Sequence, residues 1–140
     1  MIIESARLGT VEIDDASIIE FPNGLVGFED RHRFALVPAD DAGAYSWLHC
    51  VDDPALAFLT VVPHFFFDSY EIELGDDDVA ALDLTDQSDA QTICLVTMHD
   101  DDGITANLLG PVVLNVRSQI GRQVVLAEAG WSARTPLGRQ

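Results

Sequence analysis

Residues 91–115, "QTICLVTMHDDDGITANLLGPVVLN", place two apolar runs on either side of one short polar interruption. The first run, residues 91–98, is rich in β-branched and other apolar side chains, and so is the run that begins at Ile104. The "DDDG" between them is a strong turn signal, because aspartate and glycine adopt the backbone conformations that tight turns require. The stretch therefore predicts two strands joined by an acidic turn.

The three adjacent carboxylates of this turn also raise the possibility of a metal loop. An EF-hand calcium loop needs oxygen ligands at its positions one, three, five and twelve and a glycine at position six. With Gly103 at position six, Asp100 and Asp102 fall at positions three and five, but Met98 and Leu109 occupy positions one and twelve. The cation would lose both end ligands, so the sequence favours a solvated turn.

Strand-like runs recur along the rest of the chain, and turn signals such as "PNG", "DDP" and "SQIG" separate them. These runs are "TVEI", "RFALVPA", "YSWLHCV", "LAFLTVV", "YEIEL", "PVVLNV" and "RQVVLA". Only "GDDDVAALDL", residues 75–84, is typical of a helix: an aspartate can cap its start, acidic residues suit its first turn, and Val79 and Leu82 form a one-sided apolar pair.

Strands linked by short turns must bury one face without helical crossovers. The sequence therefore predicts an all-β fold, a small antiparallel barrel-like or sandwich domain with one short helix. Its 140 residues predict a single domain over residues 1–140, with a loosely ordered C-terminal tail from about residue 132. The sequence shows no secretory signal and no apolar run long enough to span a bilayer. We therefore expect a soluble, cytoplasmic protein that does not bind membranes.

Charge limits the classes of partner. The chain has 24 acidic residues and seven basic ones, all arginine, for a formal net charge of -17. Phosphate backbones need a basic surface, so direct nucleic acid binding is not expected. The negative electrostatic field of the chain would speed its encounter with a basic protein. The alternative is that the negative charge only keeps the protein soluble.

Residues with reactive or metal-binding side chains are scattered. Cys50 and Cys94 form no CxxC motif, which predicts two buried, reduced thiols, and no two of the four histidines are spaced i, i+4. The chain also lacks the GxSxG, GxxxxGK[ST] and GxGxxG motifs. We therefore predict no enzyme activity and no cofactor or metal, with an acidic metal-dependent enzyme using Asp100, Asp101 and Asp102 as the alternative.

The segment "PHFFFDSY", residues 63–70, carries three consecutive phenylalanines, Phe65, Phe66 and Phe67. In a strand successive side chains alternate between the two faces, so the three cannot all point inward. At least one is predicted to be exposed, where an aromatic rimmed by carboxylates suits a protein interface. The alternative is a bend that buries all three.

Four motifs in order carry a family resemblance: "FPNGLVGFED", "YSWLHCVDDPALAF", "TANLLGPVVLN" and "RQVVL". Together they resemble the signature stretches of the bacterial flagellar assembly factor FliW, from "GTVEID" at residue 9 to "ARTPL" at residue 137. The chain departs from the family pattern at Val26, where proline is common, at His49 and Cys50, and at Trp131 and Thr135.

The resemblance implies a non-enzymatic regulator that binds flagellin and, when released from it, antagonises CsrA, a small dimeric RNA-binding translational repressor. Flagellin export would thereby be linked to flagellin synthesis. A monomer is expected. Asn107 and Asn115 in "TANLLGPVVLN" are expected mainly to satisfy backbone groups at strand ends. Candidate partner-binding residues are Asp52, Asp53, Phe65, Phe66, Phe67, Tyr70, Asp76, Asp77, Asp78, Asp100, Asp101, Asp102 and Asn107.

Overall fold

A computed structural model describes residues 1–99, 103–126 and 130–137, and most of its regular structure is β-sheet. One α-helix, α1 (Asp76–Ala81), lies within these ranges, together with short 3-10 helices at Asp15–Ser17, Pro63–Phe65 and Gln87–Asp89. The predicted all-β fold with one short helix is confirmed. The strands are β1 (Ile2–Ser5), β2 (Gly9–Glu12), β3 (Ile19–Glu20), β4 (Arg33–Pro38), β5 (Tyr45–Cys50), β6 (Ala57–Val61), β7 (Ala90–His99), β8 (Gly103–Ala106), β9 (Val112–Asn115), β10 (Ile120–Gln123) and β11 (Thr135–Pro136).

The main sheet closes on itself as a ring of seven strands in the order β7-β6-β5-β4-β3-β10-β9, with β9 returning to β7. Closure depends on the length of β7: its first half pairs with β9, while its second half pairs with β8. All pairings in the ring are antiparallel except β3 with β10, where Glu20 and Ile120 pair in parallel. β8 and β11 extend the sheet beyond the ring, and β1 and β2 form a separate hairpin.

The ring encloses the largest apolar cluster, in which Phe21 and Phe34 are fully buried and meet edge to face with ring centroids 5.2 Å apart. The other buried members are Ile19, Leu25, Leu48, Cys50, Ile93, Val112 and Leu114. Both cysteines are free and buried, as predicted. Burial raises the pKa of the Cys94 thiol to about 12, which keeps it in the unreactive thiol form at neutral pH.

His49 fastens the β1–β2 hairpin to the outside of the ring. Its Nδ1 donates to the Cys50 carbonyl at 2.8 Å, and its Nε2 accepts from the Ser5 hydroxyl at 2.7 Å. This assignment follows because a carbonyl can only accept a hydrogen bond. The fully buried imidazole is thus satisfied at both nitrogens, and Ile3 and Ile13 of the hairpin segment pack against Ala35 and Val51 beside it.

The run that begins at Ile104 was predicted as one strand, but it divides into β8 and β9. Between the pairs Val96–Ala106 and Ile93–Val112, β7 contributes Cys94 and Leu95, whereas the opposite chain contributes residues 107–111. The surplus residues bulge out of the ladder. The side chain of Asn107 accepts a hydrogen bond from the Gly110 amide at 2.8 Å inside this bulge, and Pro111, which has no N–H, follows.

The "YEIEL" segment was also predicted as a strand, and it has no ladder partner among the described residues. It keeps the alternation of a strand: Ile72 and Leu74 are half-buried against the cluster around Leu82, while Glu71 and Glu73 are exposed. The predicted helix follows as α1, with three aspartates in its first turn. The expected aspartate cap is wrong, because Gly75 is the N-cap residue and no side chain caps the helix.

The C-terminal segment is more ordered than predicted. β11 pairs with β8, and the Leu137 amide donates to the Ile104 carbonyl at 3.0 Å. Trp131 and Leu137 pack on the apolar cluster around Val61 and Leu108. A loose tail from about residue 132 therefore does not describe residues 135–137, because paired backbone groups and apolar packing hold them on the sheet.

Candidate partner-binding surface

The three phenylalanines follow β6 in a tight turn and not in a strand. Pro63 opens the turn, and its carbonyl accepts hydrogen bonds from the amides of Phe66 and Phe67, each at 2.9 Å. Phe65 is 52% exposed and stacks on His64 with ring centroids 5.0 Å apart, whereas Phe66 and Phe67 are half-buried. The segment therefore does bend, as the alternative expected, but the bend does not bury all three rings, because Phe65 stays exposed.

Tyr70 holds this aromatic segment against the bulge between β8 and β9. Its hydroxyl donates to the Leu108 carbonyl at 2.8 Å, and its ring meets Trp131 edge to face with centroids 4.8 Å apart. Desolvation by burial raises the pKa of the Tyr70 hydroxyl well above its usual value. Tyr70 therefore remains a neutral donor and positions its neighbours through packing.

The aspartates of α1 have different surroundings. Asp76 and Asp77 are exposed in the first helical turn, where the helix dipole favours negative charge. Asp78 is half-buried and pairs with Arg122 of β10 at 2.8 Å, which ties the helix to the ring. The second acidic cluster, Asp100, Asp101 and Asp102, lies outside the described residues.

Asp52 and Asp53 lie in the turn between β5 and β6, and both are engaged locally. The Arg33 guanidinium donates to both carboxylate oxygens of Asp52, with Nε 3.1 Å from Oδ2, and this hydrogen bonding holds the pKa of Asp52 below its usual value. Asp53 accepts from the Ala55 amide at 3.0 Å and pairs with Arg31 at 3.3 Å. Asp53 thus has the turn-capping geometry that its position before Pro54 predicts.

Replacing Asp53 by alanine should lower the free energy of unfolding by about 1 kcal/mol, because the Ala55 amide loses its acceptor. Chemical denaturation measures this loss. Asp52→Ala is the control and should cost less, since an exposed ion pair contributes little. An unchanged affinity of Asp53→Ala for protein partners, measured well below its melting temperature, would confirm the turn role, whereas a large loss of affinity would place Asp53 at an interface.

Asn107 and Asn115 satisfy backbone groups, as expected from the sequence. Asn107 accepts from the Gly110 amide. Fully buried Asn115 bonds four backbone groups, two in the turn after α1 and two beyond the end of β9. Asn107 lies next to Leu108, the acceptor for Tyr70, so it borders the aromatic segment.

The structure separates the candidate residues into two regions. Tyr45, at the start of β5, contacts Phe66 with centroids 5.7 Å apart, whereas Asp52 follows the other end of the same strand. A strand of this length spans about 17 Å, so the Asp52–Asp53 turn and the aromatic segment lie at opposite ends of the ring. The aromatic segment, Asn107 and the segment that leads into α1 instead lie next to one another.

A groove that the sequence does not reveal lies beside the aromatic segment. Two adjoining cavities, of about 350 and 550 Å³, run between the 70–74 segment and the start of β7, and both are lined by Ile72, Ala90 and Thr92. Volumes of this size are typical of binding pockets. The only signal for it in the sequence was the apolar alternation of "YEIEL". We call it the β7 groove.

Within the described ranges, no group of three or more His, Cys, Asp or Glu side chains is placed to hold a metal ion. In those same ranges, no helix has the length and apolar character needed to cross a bilayer.

Comparison with known proteins identifies the family. The profile described as "FliW protein" matches residues 2–137. The chain belongs to the FliW family. Among FliW relatives it is 35% identical to the flagellar assembly factor FliW of Natranaerobius thermophilus, over 98% of this chain and 92% of that protein. It is 37% identical to the flagellar assembly factor FliW of Desulfitobacterium hafniense, over 98% of this chain and 91% of that protein.

A crystal structure of a flagellar assembly factor FliW has the same fold. It superposes with a TM-score of 0.91 at 30% sequence identity, covering 100% of this chain and 99% of that one. The FliW match extends to residue 137, so it includes β11 and the ordered part of the C-terminal segment. The resemblance drawn from the sequence motifs is confirmed, and the role is that of a flagellar assembly factor.

Proposed function

We propose that this FliW-family chain is a non-enzymatic cytoplasmic regulator, a monomer, that binds flagellin and, when free of it, binds and antagonises CsrA. The observation that carries the proposal is the FliW match over residues 2–137. The net charge of -17 supports it, since an RNA-binding protein such as CsrA presents a basic surface. The exposed Phe65 beside acidic residues supports it too, because aromatic anchors with charged rims are common at protein interfaces.

Size-exclusion chromatography and calorimetry test this proposal with purified CsrA and flagellin. The chain should co-elute with each protein added alone. Calcium, magnesium or zinc should not raise its melting temperature. A large rise with any of these metals, without co-elution, would instead support an acidic metal-dependent enzyme, because a ligand that binds the native state stabilises it.

The charge also predicts how CsrA would lose its RNA. An acidic domain bound beside a basic RNA site lowers the potential that attracts phosphates, and charges within about 8 Å are only partly screened at physiological salt. Asp76 and Asp77 are exposed, whereas Asp78 is committed to Arg122. Repulsion would therefore come from Asp76, Asp77 and the cluster Asp100, Asp101 and Asp102.

We expect the double variant Asp76→Asn, Asp77→Asn, alone or combined with asparagine at residues 100–102, to bind CsrA but release RNA less completely. The deficit should shrink as salt rises, because screening weakens repulsion in the native protein too. The matched control is Glu4→Gln, Glu12→Gln, which removes two charges from the β1–β2 hairpin. Fluorescence anisotropy of labelled RNA measures the release. Normal release by the combined variant at both low and high salt would rule out electrostatic displacement.

A further inference from the structure

The ladder between β6 and β7 stops before the start of β7. The last pair is Val61 with Cys94, and the register would then bring Val62 opposite Ile93 and Pro63 opposite Thr92. Pro63 has no N–H to donate, and its carbonyl already accepts from Phe66 and Phe67 inside the 3-10 turn. The chain therefore leaves the sheet at this point, and the edge of β7 beyond Cys94 has no β6 partner.

The backbone of Thr92 faces the β7 groove. Asp89 and Leu95 turn their carbonyls toward the β9 and β8 side, where they accept from Val116 and Asn107, each at 2.9 Å. Because successive residues of an antiparallel strand alternate sides, Thr92 turns its N–H and C=O the other way. No hydrogen bond within the described residues reaches Thr92 from that side, so Thr92 presents one free donor and acceptor pair to the groove.

The opposite wall is an extended segment with a free backbone. Residues 71–74 alternate between exposed glutamates and half-buried Ile72 and Leu74, yet their backbone groups form no hydrogen bond to any other described residue. The groove thus lies between two strand-like edges, Thr92 on one side and residues 71–74 on the other. Its apolar lining includes Ile72, Ala90 and Val113.

We propose that the β7 groove binds an extended segment of a protein partner, one in which lysine or arginine alternates with apolar residues. The bound segment would add a strand to the edge of β7 through Thr92, as exposed sheet edges commonly do. Charge selects a basic occupant: Glu73 and Asp86 line the groove, exposed Glu71 lies beside it, and no arginine is among its described lining residues. This inference deepens the proposed function, since it names the chemistry by which a partner is held.

A synthetic peptide of alternating lysine and valine, about seven residues long and blocked at both ends, provides the probe. In NMR titrations of the full chain it should shift the amide signals of Thr92 and residues 71–74 and slow hydrogen exchange at Thr92. A peptide with glutamate in place of lysine, and a peptide with N-methylated valines, should each bind at least about tenfold more weakly. Equal binding of all three peptides, or no shift at these residues at about 1 mM probe, would overturn the proposal.

Variants of the chain test each edge of the groove by itself, and they also test whether a protein partner binds there. Thr92→Pro removes the free N–H, and Glu71→Gln, Glu73→Gln removes two charges; each should weaken binding of the lysine–valine peptide, while Glu4→Gln, Glu12→Gln should not. If the native chain binds CsrA or flagellin and both groove variants bind that protein equally well, the groove is not its site. If the native chain binds neither protein, the proposed function fails while the peptide titration still decides the groove.

Discussion

Asn115→Ala should lower the free energy of unfolding by about 3 kcal/mol, because a single buried side chain serves four backbone groups. Its Nδ2 donates to the carbonyls of Leu82 and Asp83, at 2.8 and 3.1 Å, and its Oδ1 accepts from the amides of Arg117 and Ser118, at 2.9 and 3.2 Å. These bonds join the turn after α1 to the turn between β9 and β10. Alanine would leave the Leu82 carbonyl and the amides of Arg117 and Ser118 without a partner, whereas the Asp83 carbonyl would keep its hydrogen bond from the Arg117 guanidinium at 3.0 Å. Chemical denaturation measures the loss.

Asn107→Ala is the matched control for this prediction. It lies in the same sequence motif, but it is only half-buried and its side chain accepts one hydrogen bond, from Gly110. Its loss should be about 1 kcal/mol. Equal losses at the two positions would contradict the account, in which the number of buried backbone groups left without a partner sets the difference.

Gly121→Ala should also destabilise the fold, by about 2 to 3 kcal/mol, through overpacking. A Cβ atom at residue 121 would lie 2.4 Å from Cζ of Phe21, which is fully buried within the ring and packed against Phe34. Without this clash, alanine would favour a strand over glycine by a few tenths of a kcal/mol to about 1 kcal/mol. The sign of the effect therefore tests how tightly β10 approaches the Phe21 ring.

Two further variants make the test specific. Gly75→Ala is the control for a clash: the nearest atom to its Cβ, Oδ2 of Asp78, is 3.9 Å away. Its loss should be no more than about 1 kcal/mol, because alanine only replaces a better N-cap residue of α1. Phe21→Leu should make the alanine at residue 121 less costly than it is beside Phe21, because leucine does not reach as far. Additive losses in that double-mutant cycle would show that the two residues do not collide.

The local sequence pattern was sufficient to predict those strands and helices that depend mainly on their own residues. The β-branched and apolar runs predicted β4 to β7, and the acidic first turn with apolar Leu82 predicted α1. Two asparagines at strand ends were expected to serve backbone groups, and both do so. The family motifs, taken together, identified the fold because they span nearly the whole chain.

Elements that depend on distant partners were missed. "YEIEL" alternates like a strand, but whether it pairs depends on Pro63, which ends the β6 ladder and diverts the chain. The parallel contact between Glu20 and Ile120 closes the ring through residues a hundred positions apart, which no local pattern encodes. β11 likewise forms because β8 offers an edge and Leu137 finds an apolar cluster. The β7 groove arises from these long-range arrangements.

The central claim, that this FliW-family chain links flagellin to CsrA, is tested most directly by following labelled RNA on purified CsrA. Fluorescence anisotropy should fall when the chain is added, as RNA leaves CsrA, and should recover when flagellin is then added in excess over the chain. Flagellin added without the chain should have no effect. RNA that stays bound to CsrA at saturating chain, or that flagellin fails to restore, would contradict the account.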